Sequence, residues 1–395
     1  GRVCRRKRNE RKGTRVIRFE EHHQEVREMI ADFADNEIAP RAQLLDESQG
    51  LPTDSISQLA ELGMLGITIP ELYGGAGLDL LAACLVVEEV ARCCGSTAAV
   101  LASHLFEGST AILDLADDAG RERWLPGMAS GETLATFALG EVQAESDASG
   151  ITCAVGEETD GYSMHGRKTW VVGGALAGLI TVVARNGDEQ LQDLGAYVVD
   201  PSTTGCSRHQ KTDLLGLRGA GLCELHLDGV RLDAGARLGQ ADSGWSPISR
   251  VVDKSRLGGA AVVLGLARGA ISHALGYASQ RVAFGRSVDR FGSIRAMFAD
   301  AATAIEGARL ILWRAAGLFD AGKAASREAA MANLAAKKAA YKATKDAVQI
   351  LGGNGYSREY PIERAYRDVQ AATPFGGGED LQKILVSRSL TGAQS

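Results

Sequence analysis

Residues Gln349 to Leu390 read QILGGNGYSREYPIERAYRDVQAATPFGGGEDLQKILVSRSL. A helix runs into the turn Gly352-Gly353-Asn354-Gly355, where paired glycines suit a helix stop. The charged corner Arg358-Glu359-Tyr360-Pro361 follows, then the pair Arg367-Asp368, then the loop Phe375-Gly376-Gly377-Gly378. Glu379 and Asp380 open a last helix, where carboxylates favour the positive end of the helix dipole.

Outward from this stretch the chain divides into zones. Arg256–Arg281, Ser293–Ala321 and Ser326–Leu351 are long, alanine-rich and striped with apolar residues, which predicts a bundle of long helices. From 134 to 245 the period changes. Tyr162 to Val172, Leu179 to Ala184 and Ala196 to Asp200 read as strands between glycine-bearing turns, which predicts an antiparallel β domain. From 20 to 133 the helical period returns, with Val26, Met29, Ile30 and Phe33, then Leu59, Leu62 and Leu65. The expected fold is multi-domain α+β in the order helical, β, helical, with domains at 20–133, 134–245 and 246–395.

Residues 1–19 form a basic arm, expected to be disordered. Residues 1–18 hold nine Arg and Lys against Glu10 alone, a local +8 in a chain of net charge −6, which leaves −14 for the remainder. An acidic body argues against nucleic acid as the main partner. Apolar and charged contents of 45% and 23% are those of an ordinary globular chain, and no run of eighteen apolar residues predicts a membrane span. Cysteines at 4, 84, 93, 94, 153, 206 and 223 lack C-x-x-C pairing and zinc-spaced histidines. They read as thiols in a reducing, cytoplasmic setting, with no metal site expected.

The motifs carry a resemblance. Gly63 to Gly77 is similar to a G-x-x-G-x-x-x-P-x-x-Y-G-G-x-G loop, and Trp124-Leu-Pro-Gly-Met-Ala-Ser-Gly-Glu132 to W-L-P-x-x-A-S-G-E. Arg281-Val-Ala-Phe-Gly-Arg286 is similar to R-x-x-F-G-[KR], and Gln349 to Gly355 to Q-x-x-G-G-x-G. In this order, from about residue 20 to 390, they resemble the acyl-CoA dehydrogenases, which desaturate acyl thioesters with FAD. The resemblance implies an N-terminal helical domain, a middle β domain and a C-terminal four-helix bundle.

It also implies where FAD binds. The flavin ring needs an apolar face and donors at its polar edge. The corresponding segments are Phe137-Ala-Leu-Gly-Glu-Val-Gln-Ala-Glu-Ser-Asp147 and Lys168-Thr-Trp-Val-Val172, which assign Phe137, Leu139, Gly140, Ser146, Trp170 and Val172 to the flavin. Gly140 and Val172 stand where the family has threonine, so donation there falls to backbone amides. Arg281 is a bidentate partner for the pyrophosphate. Phe284 packs beside it, and Gln349, Gly352 and Gly353 allow close backbone approach to the adenosine part. In the family this contact crosses subunits, which implies a homotetramer or homodimer.

The departure lies in the loop. The family's catalytic glutamate falls at Gly376, which keeps a backbone N–H to polarise the thioester oxygen but has no base. The alternative position on the bundle helix is Ser255. Three readings remain open. A displaced acid serves, from Glu379, Asp380 or Asp253; or the reaction needs no strong base, as in a flavin oxidase or monooxygenase; or the chain is an inactive homologue. His104 and His209 read as structural. The expected substrate is an acyl thioester of coenzyme A or acyl carrier protein, in a specialised relative suited to secondary metabolism. The expected electron acceptor is electron-transfer flavoprotein or oxygen.

Overall fold

The computed structural model describes residues 19–144, 147–187, 193–240, 244–371 and 375–392. The basic arm therefore lies outside the described residues, apart from Phe19. Helices come first: α1 (Glu21–Phe33), α2 (Ala39–Ser48), α3 (Thr53–Glu61), α4 (Leu80–Cys93), α5 (Gly95–Ser103), α6 (Ser109–Leu115) and α7 (Asp118–Ser130). The helix from α5 to α6 widens into a π turn at His104–Gly108. Such turns insert one residue into the ladder and frequently mark functional sites.

Eight strands follow: β1 (Ala135–Ala138), β2 (Ala154–Glu158), β3 (Gly161–Val171), β4 (Leu179–Arg185), β5 (Leu194–Val199), β6 (Cys206–Gln210), β7 (Cys223–Asp233) and β8 (Arg237–Leu238). They form one sheet in the order β6-β7-β3-β2-β4-β5-β8, with β1 beside β4. The sheet is mixed rather than purely antiparallel, because β1 pairs with β4 in parallel, Ala135 opposite Leu179. The sequence pattern missed this because a four-residue strand carries no register signal. The half of the sheet toward β8 is buried on both faces, with every residue of β4 and β5 inside, whereas β2 is mostly exposed.

The bundle consists of α8 (Trp245–Gln280), a short hairpin of β9 (Val282–Ala283) and β10 (Arg286–Ser287), α9 (Gly292–Asp320), α10 (Ser326–Leu351), α11 (Ile362–Gln370) and α12 (Glu379–Thr391). Helix α8 begins eleven residues before the predicted start at Arg256. It is long and apolar enough to cross a bilayer by length and composition, but its most apolar window is 72% buried inside the bundle. Alanines such as Ala329, Ala332, Ala336, Ala340 and Ala343 of α10 sit in the core, so the helix axes approach closely.

The Arg367-Asp368 pair joins the three zones. Arg367 donates to Asp46 of α2 at 2.6 Å and to the Leu215 carbonyl of the β domain at 2.9 Å. Asp368 is wholly buried and accepts from the Leu217 N–H at 2.6 Å. Burial pushes its carboxyl up to about 6.

Candidate active site

Strands β1 and β3 and the segment after β1 meet as their sequence assignment requires. The Thr169 N–H donates to the Gly140 carbonyl at 2.9 Å, which ties the two predicted flavin segments together. Beneath them Lys168 and Glu141 form a fully buried pair at 2.7 Å. Glu141 also accepts from the backbone of Thr152 and Cys153, so its charge is satisfied from several sides.

A bulge in β3 between Lys168 and Val171 pushes Trp170 out of the ladder at φ 57°, leaving it 42% exposed. Its ring lies 4.8 Å from the Lys211 ammonium. Phe137 is buried, while Leu139 and Gly140 are half-buried. Ser146 lies outside the described residues. Val172 is buried, and its carbonyl accepts from Thr136 at 2.7 Å and Ser103 at 3.1 Å.

The second predicted group lies at the far end of the bundle. Arg281 caps α8, and Phe284 stands 95% exposed on the β9–β10 hairpin at φ 51°. Gln349, Gly352 and Gly353 are exposed at the end of α10, and a Cβ on either glycine would meet nothing within 4 Å. Asn354 donates to the Tyr277 hydroxyl at 3.0 Å, which fixes this turn beside the end of α8. A flavin dinucleotide fits both sets: a half-exposed tryptophan with apolar neighbours for the ring, and an open glycine turn with a free-standing arginine and phenylalanine for the remainder.

The glycine loop explains its own sequence. Gly376 has φ 69° and Gly377 φ 93°, a region that favours glycine. A Cβ at 376 would lie 2.2 Å from Cγ of Arg256. The space in which a side chain at 376 would start is therefore filled by α8. The Gly376 and Gly377 carbonyls accept from the Gln382 amide, and Lys337 donates to Gly377 at 3.0 Å. Burial lowers the Lys337 ammonium to about 8.

Asp253, predicted as a candidate base, is closed instead into a buried ion pair with Arg256 and accepts from Ser326. Burial raises its carboxyl, and the Arg256 charge offsets part of that rise. Glu379 is not brought to the site either. It opens α12 at the surface, 2.9 Å from Lys383 and 3.6 Å from Lys338. The Lys383 hydrogen bond holds its carboxyl below the usual range. Asp380 is likewise exposed and pairs with Lys383 at 3.1 Å. Both act as the N-terminal charge of α12.

His104 is a satisfied core residue. Its Nδ1 accepts from Ala135 N–H at 3.1 Å and its Nε2 faces the Leu65 carbonyl at 3.2 Å. Burial lowers it to about 4, which keeps it neutral. His209 is exposed, its ring 4.4 Å from that of His226.

One residue escaped the sequence reading. Glu107, in the π turn, is buried among apolar groups and takes hydrogen bonds from Ser255 at 2.6 Å and Ser103 at 2.8 Å. Burial pushes its carboxyl up to about 7. The signal was present: a lone acid in the apolar run Leu101 to Ile112, four residues after Ser103.

Comparison with known proteins places this geometry. The acyl-CoA dehydrogenase N-terminal domain matches residues 20–132, the middle domain 136–230 and the C-terminal domain 242–391. An acyl-CoA dehydrogenase of Bacillus subtilis is 34% identical over 93% of this chain and 97% of its own. A 3-(aryl)acrylate reductase of Clostridium sporogenes is 33% identical over 94% and 99%. The butyryl-CoA dehydrogenase structure from Megasphaera elsdenii superimposes with a TM-score of 0.92 at 30% identity, covering 95% of this chain and 99% of that one. The fold and site define a flavin-dependent oxidoreductase with FAD as cofactor. The chain belongs to the acyl-CoA dehydrogenase family.

Proposed function

We propose that this chain is a specialised member that oxidises an acyl thioester of coenzyme A or acyl carrier protein without a carboxylate on its C-terminal loop. The observation that carries the reading is the contact at Gly376: the family's position for a base is occupied from the other side by Arg256. Bound FAD supplies the hydride acceptor. The chain's own residues seat the ring on Trp170, Phe137 and Leu139. They also keep a backbone N–H at Gly376 with which to polarise the thioester oxygen. The exposed groups Phe284, Gly352 and Gly353 support a homo-oligomer in which a second subunit covers them. Electron-transfer flavoprotein or oxygen serves as acceptor, and a tailoring role in secondary metabolism accords with the altered loop.

The test begins with the purified protein, which is expected to be yellow and to bleach anaerobically with an acyl thioester. A colourless protein that cannot be reconstituted with FAD would count against any redox role. Gly376→Glu is expected to bring no gain, because its Cβ meets Arg256 and its backbone is left-handed. Ordinary dehydrogenation gained on that substitution would show that the loop is still built for the family's base. Rapid reoxidation by oxygen with peroxide release would favour an oxidase on the same scaffold.

A further inference from the structure

The proton positions around Glu107 can be counted. Four close contacts run in a line: Ser255 Oγ to Glu107 at 2.6 Å, Glu107 to Ser103 Oγ at 2.8 Å, Ser103 Oγ to Thr136 Oγ1 at 2.7 Å, and Thr136 Oγ1 to the Val172 carbonyl at 2.7 Å. Each contact needs one proton between its oxygens. The three hydroxyls bring three, and the Val172 carbonyl brings none. With Glu107 ionised the line is one proton short, and two oxygens face each other without a hydrogen. With Glu107 protonated, its O–H donates to Ser103, Ser103 to Thr136 and Thr136 to Val172, while Ser255 donates to the other carboxyl oxygen. All four of these short contacts are then filled, and the longer Ser103 approach to the Val172 carbonyl, at 3.1 Å, is given up.

The line also has a direction. Ser255 precedes Arg256, the residue against the Gly376 loop, and Val172 closes the strand assigned to the flavin. Among the described residues no cation pairs with the carboxyl. In its own turn His104 is neutral and bonded to Leu65 and Ala135. On α8, Arg256 is paired with Asp253, and Lys254 with Asp114 of α6 at 2.8 Å. From β4, Arg185 is taken by the Ile151 and Ser149 carbonyls. From β3, Lys168 is taken by Glu141. Glu107 is thus held by hydroxyls alone, in a line that gains a hydrogen bond when it accepts a proton.

We propose that Glu107, acting through Ser255, is the proton acceptor of this site. This rests on the thioester-oxidising reading above. The α C–H bond of the thioester breaks, and its proton passes to Ser255 Oγ as the Ser255 proton moves to Glu107 Oε1; a half-turn of the carboxyl then presents that O–H to Ser103 and the bare oxygen to Ser255. The electron pair left at the α-carbon forms the C=C bond as the β-carbon loses its hydride, for which bound FAD would supply the acceptor. The acid of the site has moved from the C-terminal loop to the π turn on the other side of α8.

The experiment compares FAD-loaded wild type, Glu107→Gln and Ser255→Ala. Difference infrared spectra across pH 5 to 9 read the carboxyl directly and need no substrate. Wild type is expected to show a protonated-carboxyl band with its midpoint near 7, absent in Glu107→Gln and retained in Ser255→Ala. Anaerobic mixing with butyryl-CoA then reads flavin bleaching. Both variants are expected to slow by roughly 100-fold or more, the usual weight of general acid–base groups, while dithionite bleaches all three alike. Absence of a titrating band that depends on Glu107 overturns the proposal. So does bleaching at the wild-type rate in either variant. Should Glu107→Gln fail to fold, Ser255→Ala still decides. A yellow wild type that no acyl thioester bleaches overturns the thioester reading itself, and the proposal with it.

Discussion

Ser255 and Arg256 are neighbours on α8 that face different walls, and the two walls are built on opposite principles. On the Arg256 side the buried carboxyl has a cation: Arg256 pairs with Asp253, Asp253 accepts from Ser326, and the Gly376 loop folds over the arginine stem. On the Ser255 side the Glu107 carboxyl has hydroxyl partners and, among the described residues, no cation. Burial raises both carboxyls, but the Arg256 cation offsets part of the rise at Asp253, whereas Glu107 has only neutral donors to offset it. On the proposed reading the loop side of α8 is structural, and the proton-accepting carboxyl lies across the helix, bonded to Ser255.

The largest break in this comparison comes from opening the closed side. Arg256→Met leaves Asp253 buried without its cation. Removing one partner of a buried pair costs about 3–5 kcal/mol, whereas removing both costs far less. Urea denaturation is expected to show that loss for Arg256→Met and recovery of most of it in the double variant with Asp253→Asn. A loss below about 1 kcal/mol for the single variant would mean that Asp253 finds water or another donor, and the closed corner would be a wrong description.

The open side makes its own prediction, in pH. Glu107 has its folded carboxyl near 7 against an ordinary value of 4.5. Below 4.5 both folded and unfolded chains hold the proton. Between 4.5 and 7 the folded chain holds it and the unfolded chain does not, so stability falls as pH rises through that window. The full loss is about 3 kcal/mol, from a shift of about two and a half units at 1.36 kcal/mol each. Asp320 and Asp368, each raised to about 6 by burial, add the same sign. The difference between wild type and Glu107→Gln isolates the Glu107 part. That difference is expected to grow in favour of the glutamine as pH rises from 5 to 8. A parallel pair of curves would place Glu107 in one protonation state throughout.

How much of this was legible in the sequence follows from what each residue depends on. The three zones, the strands assigned to flavin and the glycine turn assigned to the cofactor rest on local period and ordered motifs, and a single chain displays both. The glycine at 376 was legible too, because it is one letter of the loop. The reason that a larger side chain does not fit there was not. It lies in the Arg256 side chain, 120 residues earlier, crossing the space a Cβ would need. Asp253 looked available although Arg256, its cation, is three residues on; that the pair is buried and closed by Ser326, 73 residues away, is a tertiary fact. Glu107 was passed over because a single acid in an apolar run has no pattern, and its meaning depends on Ser255, 148 residues on, and on Thr136 and Val172. The parallel pairing of β1 with β4 likewise depends on tertiary contact rather than on period.

The smallest expected effect concerns the acid that sequence placed nearest the missing base. Glu379 lies on the same loop as Gly376, but its carboxyl points into a cluster with Lys383 and Lys338 at the start of α12. An exposed carboxylate in a helix's first turn contributes about 0.3–1 kcal/mol, and salt screens it. Glu379→Gln is therefore expected to lower stability by a few tenths of a kcal/mol at low ionic strength. It should leave the rate of flavin bleaching by thioester unchanged. Kinetics decide this better than stability, because the two readings of Glu379 differ little in folding energy and by roughly 100-fold or more in rate. A large rate loss would mean that the three glycines swing Glu379 inward when substrate binds. The proton would then leave on the Arg256 side of α8, and the Ser255 side would be a buried polar line with no part in the reaction.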